Sequence, residues 1–360
     1  MLLLPASDDR EIWRYFATAS MPRRPDAEAV LTALDTAGKP LSTAALETVA
    51  DVRRTRLELL LKVLDVEGAV RRVSGGWEAT GAGWTYDEDR YARVAAVRDV
   101  EAASMLDYQA TEGCRMRFLQ EALDDPAAAD CGRCDRCAGP WYDATVPEGA
   151  VQAATRTLRR VGVPLEPRSQ WPSGMGRLGV DRSGRIGPDE RVAAGRVVAR
   201  LTDLGWGQTL RDLLAPGAAD RPADERLLAA CVEVLTGWDW DERPVAVLAV
   251  PSVRRPQLVG SVASHLARLG RLEDLGSLAL APDAGTDDRG SGGNSAFRLA
   301  AVHQRFTVPA ALSARLAGLD GPVLLVDDLV DSRWTMTVAG AAVRAAGAPA
   351  VLPFALASVA

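Results

Sequence analysis

Apolar positions divide this chain before any motif does. Across residues 26–80 they recur at helical spacing. "DAEAVLTALDTA" sets Val30, Leu31 and Leu34 on one face, and Gly38 and Pro40 break the rhythm. "STAALETVA" opens on a Ser/Thr cap, with Glu47 in the next turn. "DVRRTRLELLLKVLDVEG" carries Leu57, Leu60, Leu61 and Leu64 as a stripe that Gly68 ends. "AVRRVSGGWEAT" reads as two short strands around Ser74-Gly75-Gly76. The order helix, helix, helix, hairpin predicts a winged helix over residues 23–85.

From about residue 223 the rhythm changes. "ADERLLAACVEVLTGW" and "QLVGSVASHLARLG" read as helices. "PVAVLAVP", "LGSLALA", "PVLLVDD" and "APAVLPFALA" read as strands that are apolar throughout, and "TVAGAAVRAAG" as a further helix. Such strands alternating with helices predict an α/β domain over 223–360, a parallel sheet covered on both faces. Between the two regions, 146–222 is rich in Pro and Gly and reads as a connecting subdomain. Within it "DERVAAGRVVARLTDLGWGQTLRDLL" is expected to be helical up to Gly205-Trp206-Gly207. The chain is thus expected to be multidomain, α+β in its first part and α/β in its second.

Composition adds limits. The 360 residues are 48% hydrophobic and 25% charged, with net charge −6. That charge argues against a chain-wide nucleic-acid surface, so any DNA contact must come from a local patch. No apolar run approaches the roughly 18 residues of a membrane span, and "MLLLP" is too short for a signal peptide. A cytoplasmic, bacterial, nucleoid-associated location with no membrane partner is the expectation.

Four of the five cysteines fall within 24 positions: Cys114, Cys131, Cys134 and Cys137, as C-x16-C-x2-C-x2-C; the fifth is Cys231. Zinc takes four thiolates in a tetrahedron, and each Cys-x2-Cys turn delivers two to one ion. Gly132 permits the turn, and Cys114 opens a helix-like stretch on which Met116, Leu119 and Leu123 share a face. The spacing predicts a closed structural zinc site in a helical module over 86–145; reduced surface thiols or a redox pair are the alternatives.

"CRMRFLQEAL" and "CGRCDRC" resemble the zinc module of RecQ-family ATP-dependent DNA helicases, and "SDDREIWRYFATASMP" (7–22) resembles the end of their second motor lobe. The resemblance implies structural Zn2+, a motor-lobe remnant over 1–22, and a DNA-binding C-terminal region of a 3′–5′ helicase of repair or recombination. The sequence has no G-x4-G-K-[ST] loop and no DEAH-like box. ATP and Mg2+ would then act only through motor domains in cis, with Met1 an introduced or internal start. The expected DNA contacts, to duplex or forked DNA with a single-stranded tail, are Arg53, Arg54 and Arg56 at the third helix, Arg71, Arg72 and Trp77 on the wing, and Arg115 and Arg117 beside the cysteines. The alternatives are a protein-binding winged helix and a solvated arginine face. In the family the winged helix generally follows the zinc module; here it precedes it.

"VLLVDDLVDSRWTMT" resembles the PRPP motif of type I phosphoribosyltransferases, and "VPSVRRPQLVGSVASHLA" their pyrophosphate loop. The resemblance covers about 240–357 and implies that Asp327 and Asp328 meet ribose and Mg2+. It also implies that Asp331, Ser332, Arg333 and Thr335 form a phosphate cradle. Arg333 stands where the family usually has glycine. "PDAGTDDRGSGGNSAFR" (282–298) has the composition of a flexible flap, acidic in its middle. A scaffold that docks protein partners, a nucleotide-binding regulatory domain and an active transferase are the open readings of this domain, the transferase the least expected. His265 is expected to pack and His303 to be exposed.

Overall fold

A computed structural model describes residues 3–6, 9–19, 21–143, 145–282 and 293–359. Parts of two expected segments, residues 7, 8 and 20 of the motor-lobe stretch and 283–292 of the flap, lie outside the described residues. The chain forms two compact units, residues 1–147 and 148–360. No described helix is long and apolar enough to cross a membrane.

The first unit opens with α1 (Asp9–Ala19), then α2 (Arg24–Ala37), α3 (Thr43–Leu46) and α4 (Arg54–Val66). Pro25 sits in the first turn of α2, and Gly38 ends it at φ 57°. Ser42 caps α3 by accepting from the Ala45 amide at 3.2 Å. Strands β1 (Val70–Val73) and β2 (Gly76–Ala79) form an antiparallel hairpin. Its outer edge bonds Leu41: the Leu41 amide donates to the Trp77 carbonyl and the Trp77 amide to the Leu41 carbonyl, both at 2.9 Å. The apolar stripes meet as expected, with Val30, Leu34, Leu57, Leu60, Leu61, Leu64 and Val70 in one core.

Helix α5 (Glu88–Ala110) follows, with α1 packed along it, and then α6 (Arg115–Ala122) and α7 (Asp135–Ala138). None of these helices buries a residue among those described. The shared face of Met116, Leu119 and Leu123 is open rather than covered, with Leu123 81% exposed.

The second unit runs α8 (Glu148–Leu158), β3 (Val163–Leu165), β4 (Gly195–Arg200), α9 (Gly207–Leu214), α10 (Glu225–Thr236), β5 (Ala246–Ala249), α11 (Pro256–Gly270), β6 (Glu273–Ser277), β7 (Ala279–Leu280), α12 (Ser295–Val302), β8 (Phe306–Thr307), α13 (Ala310–Ala317), β9 (Val323–Val330), α14 (Trp334–Ala345) and β10 (Val351–Ser358). Six strands form a sheet in the order β3-β4-β10-β9-β5-β6, parallel except for the edge strand β3. Strand parity divides the apolar runs between two cores. Val247, Leu324, Val326 and Phe354 join α9, α10 and α11 on one face. Ala246, Leu248, Leu325 and Ala355 join α12, α13 and α14 on the other.

Two expectations are corrected. Residues 195–200 are strand β4 instead of helix, and the helix begins only at Gly207. Val197, Val198 and Ala199 are buried on opposite faces of the sheet, a setting that suits β-branched residues. Gly195 lets β4 approach β10, since a Cβ there would lie 2.4 Å from the Pro353 carbonyl. The segment 146–222, expected as a connector, therefore contributes β3, β4 and α9 to the sheet and its cover.

Gly76 fixes the hairpin against Leu41. Its φ is 150°, and a Cβ would lie 2.2 Å from the Leu41 carbonyl oxygen. Gly75, at φ 94°, faces open space. Gly76→Ala is expected to destabilise the first unit by more than ~2 kcal/mol in urea melts, and Gly75→Ala by only ~1–2 kcal/mol of backbone strain.

Candidate metal centre and ligand cavity

The four cysteine sulfurs expected as ligands come together, all within 4.8 Å of one another. A metal tetrahedron with ~2.3 Å bonds to sulfur has edges of about 3.8 Å. The Cys114–Cys134 pair is already at 4.0 Å. Cys114 is the N-cap of α6, and its Sγ accepts from the amides of Cys131 at 3.2 Å and Arg117 at 3.5 Å. These donors, the Cys131 amide foremost, hold its thiol below the ordinary cysteine range. Burial works to raise Cys134, but amides of Arg115, Cys137 and Arg136 overcome it and bring the thiol to about 6. Cys137 is pushed up to about 12, chiefly by its hydrogen bond to Cys134 and then by burial. The cluster thus carries negative charge and shared protons that a cation would displace. These residues can hold a metal ion, and four sulfur donors with amide support are compatible with zinc.

Cys114 is also the one buried residue among those described between 86 and 145. A segment with so little core needs another source of order, and a metal held by the four sulfurs would supply one.

The arginines expected on DNA have divided commitments. Arg54 pairs with Glu58 at 3.2 Å and Glu47 at 3.9 Å. Arg56 pairs with Asp26 at 3.6 Å and Arg71 with Glu78 at 2.6 Å. Arg115 is spent on bracing: Nε donates to Asp135 at 2.8 Å, Nη1 to the Tyr108 carbonyl at 2.6 Å, and the group lies over the Tyr108 ring. Arg117 pairs with Asp130 at 3.0 Å and Glu121 at 3.5 Å. Arg53, the N-cap residue of α4, and Arg72 are exposed and have no ion pair among the described residues. Arg72 lies 6.0 Å over the half-buried Trp77 ring.

In the second unit a cavity of about 410 Å³ opens beyond the carboxyl ends of β5 and β9. The chain leaves these neighbouring strands in opposite directions, to β6 and to β10, so this is the switch point of the sheet, where α/β proteins bind ligands. Asp327, Asp328, Asp331, Ser332, Arg333 and Thr335 all line it. Asp327 and Asp328 are buried, and Asp327 Oδ1 accepts the Asp328 amide at 2.9 Å. Asp328 Oδ2 accepts from Ser252 Oγ at 3.1 Å and Arg255 Nη1 at 3.3 Å. Arg298 on α12 pairs with Asp331. Arg333 adopts φ 69°, the left-handed conformation a glycine would take without strain. Its Nη1 donates to the Glu166 carbonyl at 3.0 Å, which ties the strained residue down.

Behind the loop, Trp334 is buried and stacks on Trp171 with centroids 5.7 Å apart. Arg168 lies 4.5 Å over Trp334 and donates to the Ser332 carbonyl at 2.7 Å. Burial, then the charges of Arg333 and Arg298, lower Arg168 to about 10.

Sequence reasoning missed Ser252, Arg255, Arg298 and Arg168. Arg255 had a usable signal, a cation between the carboxyl end of an apolar strand and the Pro256 that opens α11. His303 is half-buried near Arg182 instead of exposed; burial first and that charge second hold its pKa below the ordinary value.

No protein-family model matches this sequence, and no curated protein matches it.

Freshly purified chain is expected to carry about one zinc per molecule by metal analysis. Cys134→Ser should lower that content and raise hydrogen exchange across 114–138, while Cys231→Ser, in the second unit, should leave it unchanged.

Proposed function

We propose that this chain is the DNA-binding accessory region of a RecQ-like ATP-dependent 3′–5′ DNA helicase of repair or recombination. The observation that carries the reading is the four-sulfur cluster, held by a helix that starts C-R-M-R and joined through α5 to the helix–helix–helix–hairpin segment. That element order, with Leu41 bonded to the hairpin edge, is the pattern of a winged helix. Structural zinc would brace 86–145, as the near absence of a buried core there requires. ATP and Mg2+ would be the business of motor domains in cis.

The division among the arginines sharpens the DNA reading. A guanidinium already paired with a carboxylate gains little from a phosphate, because it must give up one partner for the other. Arg53 at the start of α4 and Arg72 on the hairpin are the better candidates. Trp77 is half-buried behind Arg72 and orients it, with its backbone tied to Leu41.

The expected outcome with forked DNA at low salt is measurable anisotropy. The double variant Arg53→Ala/Arg72→Ala should weaken affinity by roughly 10-fold and lower the salt slope by about 2. Arg54→Ala and Arg71→Ala should each change it by less than about 2-fold. No affinity for forked DNA, or affinity unchanged in the double variant, would sink the DNA-grip reading.

A further inference from the structure

A second cavity, of about 400 Å³, lies in the first unit between α2 and the segment that follows the hairpin. Helical spacing builds one wall. Ala27, Val30 and Leu34 are buried in the core, so Glu28, Leu31, Thr32 and Asp35 fall on the side of α2 that lines the cavity. Trp84 and Tyr86 line it from the chain after β2. Both rings are held in place. Trp84 Nε1 donates to Glu67 at 2.7 Å, and the Tyr86 hydroxyl donates to the Pro22 carbonyl at 3.2 Å. Glu67 also accepts from the Tyr91 hydroxyl at 2.8 Å and Arg90 Nη1 at 3.0 Å. The Trp84 and Tyr86 rings meet edge to face, with centroids 6.0 Å apart. Aromatic rings fixed in this way need no further ordering when a ligand arrives.

The chain from Gly81 to Thr85 forms neither helix nor strand, and all of it but the half-buried Trp84 is exposed. Among the described residues the amides of Gly81, Gly83, Trp84 and Thr85 have no hydrogen-bond partner, while the Ala82 amide donates to Thr80 Oγ1 at 3.2 Å. A peptide laid along this stretch supplies those partners, as a peptide added to a free strand edge does. Charge selects which peptide. Asp35 is exposed and has no ion pair among the described residues. Arg24, the cation lining the cavity, is engaged by Glu28 at 2.8 Å in a pair that is more than half exposed, so an incoming cation shares Glu28 at little cost. Asp87, Glu88 and Asp89 follow Tyr86 directly and add negative charge at that end. A phosphate backbone meets repulsion here. An ammonium or guanidinium meets carboxylates and aromatic rings.

We propose that this cavity is a docking groove for an extended peptide of a partner protein that carries a lysine or arginine. The cationic side chain enters beside Asp35 and the Trp84 and Tyr86 rings, and the peptide backbone bonds to the free amides between Gly81 and Thr85. Arg53 and Arg72, assigned above to DNA, do not line the groove, so its test is independent of that assignment.

Calorimetry on the full chain tests it. The probes are short peptides, acetylated and amidated, that differ only in a central arginine, lysine, alanine or glutamate set between valines. The arginine and lysine peptides are expected to bind with Kd below about 1 mM, and the alanine and glutamate peptides roughly 5-fold more weakly or worse. Asp35→Asn should weaken the cationic peptides by roughly 5-fold. Thr32→Arg, which sets a resident cation in the groove, should weaken them by at least as much. Both positions are exposed on α2, so the variants are expected to keep the fold, and thermal melts check that. The double variant Arg53→Ala/Arg72→Ala should leave peptide binding unchanged. No binding of either cationic peptide, equal binding of the glutamate peptide, or binding unmoved by both α2 variants overturns the proposal. Displacement of a bound peptide by forked DNA overturns it too, because the groove would then belong to the DNA surface.

Discussion

A strand buried on both faces has only its ends for chemistry. Strand β9 is such a strand, with Val323 through Val326 fully buried between two layers of helices. Asp327 and Asp328 follow within the same strand, before it reaches open solvent, and both are buried. A carboxylate there must be neutralised or hydrogen-bonded, because its desolvation cost exceeds what local packing returns. The second unit answers with Arg255, delivered by the turn after β5, and Ser252 from the same turn. That one pair ties the ends of adjacent strands together and, through the carbonyls of Leu214 and Ala215, brings in the end of α9. The charge pairing at this end of the cavity follows from where that guanidinium sits.

The first unit has a different constraint. Its helix–helix–helix–hairpin segment has a real core, but α5, α6 and α7 have none among the described residues. Long helices without a buried face are marginal in water. The order of residues 86–145 therefore depends on side-chain pairs such as Arg115–Asp135 and on the sulfur cluster that joins the start of α6 to α7. Arg115 follows Cys114 in the sequence and braces the sulfur cluster. It reaches Asp135, the residue after Cys134, and the carbonyl of Tyr108 on α5. A role in holding the cluster uses the donors that a phosphate contact would need.

Much of this was legible in the sequence, for physical reasons that differ by element. Leu57, Leu60, Leu61 and Leu64 declare a helix face by spacing alone, and they are buried together. The runs at 245–250, 322–326 and 351–357 declare covered strands because nothing in them tolerates water. The four cysteines declare a cluster because the spacing leaves little else for them to do. Strand β4 was hidden. "GRVVAR" is short, carries arginines at both ends, and is embedded in a stretch with helical composition, so only its pairing with β3 and β10 defines it. Arg255 was hidden for a deeper reason. Its partner is 73 residues away, and neutralisation of a buried acid is a tertiary event with no local periodicity. Arg333 lies between these cases: the motif signals a position that favours glycine, and the backbone there is left-handed with arginine in place.

That substitution bears on what the second unit does. A left-handed arginine costs roughly 1–2 kcal/mol more than glycine would, and the hydrogen bond to the Glu166 carbonyl offsets part of that. A purely structural domain would gain from glycine at this turn, since the loop's backbone would relax. What arginine adds is a guanidinium at the rim of a cavity that already holds Arg305, beside Asp331, whose charge Arg298 cancels. The strain and this guanidinium fall on the same residue. At that end of the sheet the buried Arg255–Asp328 pair and the Arg298–Asp331 pair settle two of the carboxylates, and the tie to Glu166 holds Arg333 in its left-handed turn.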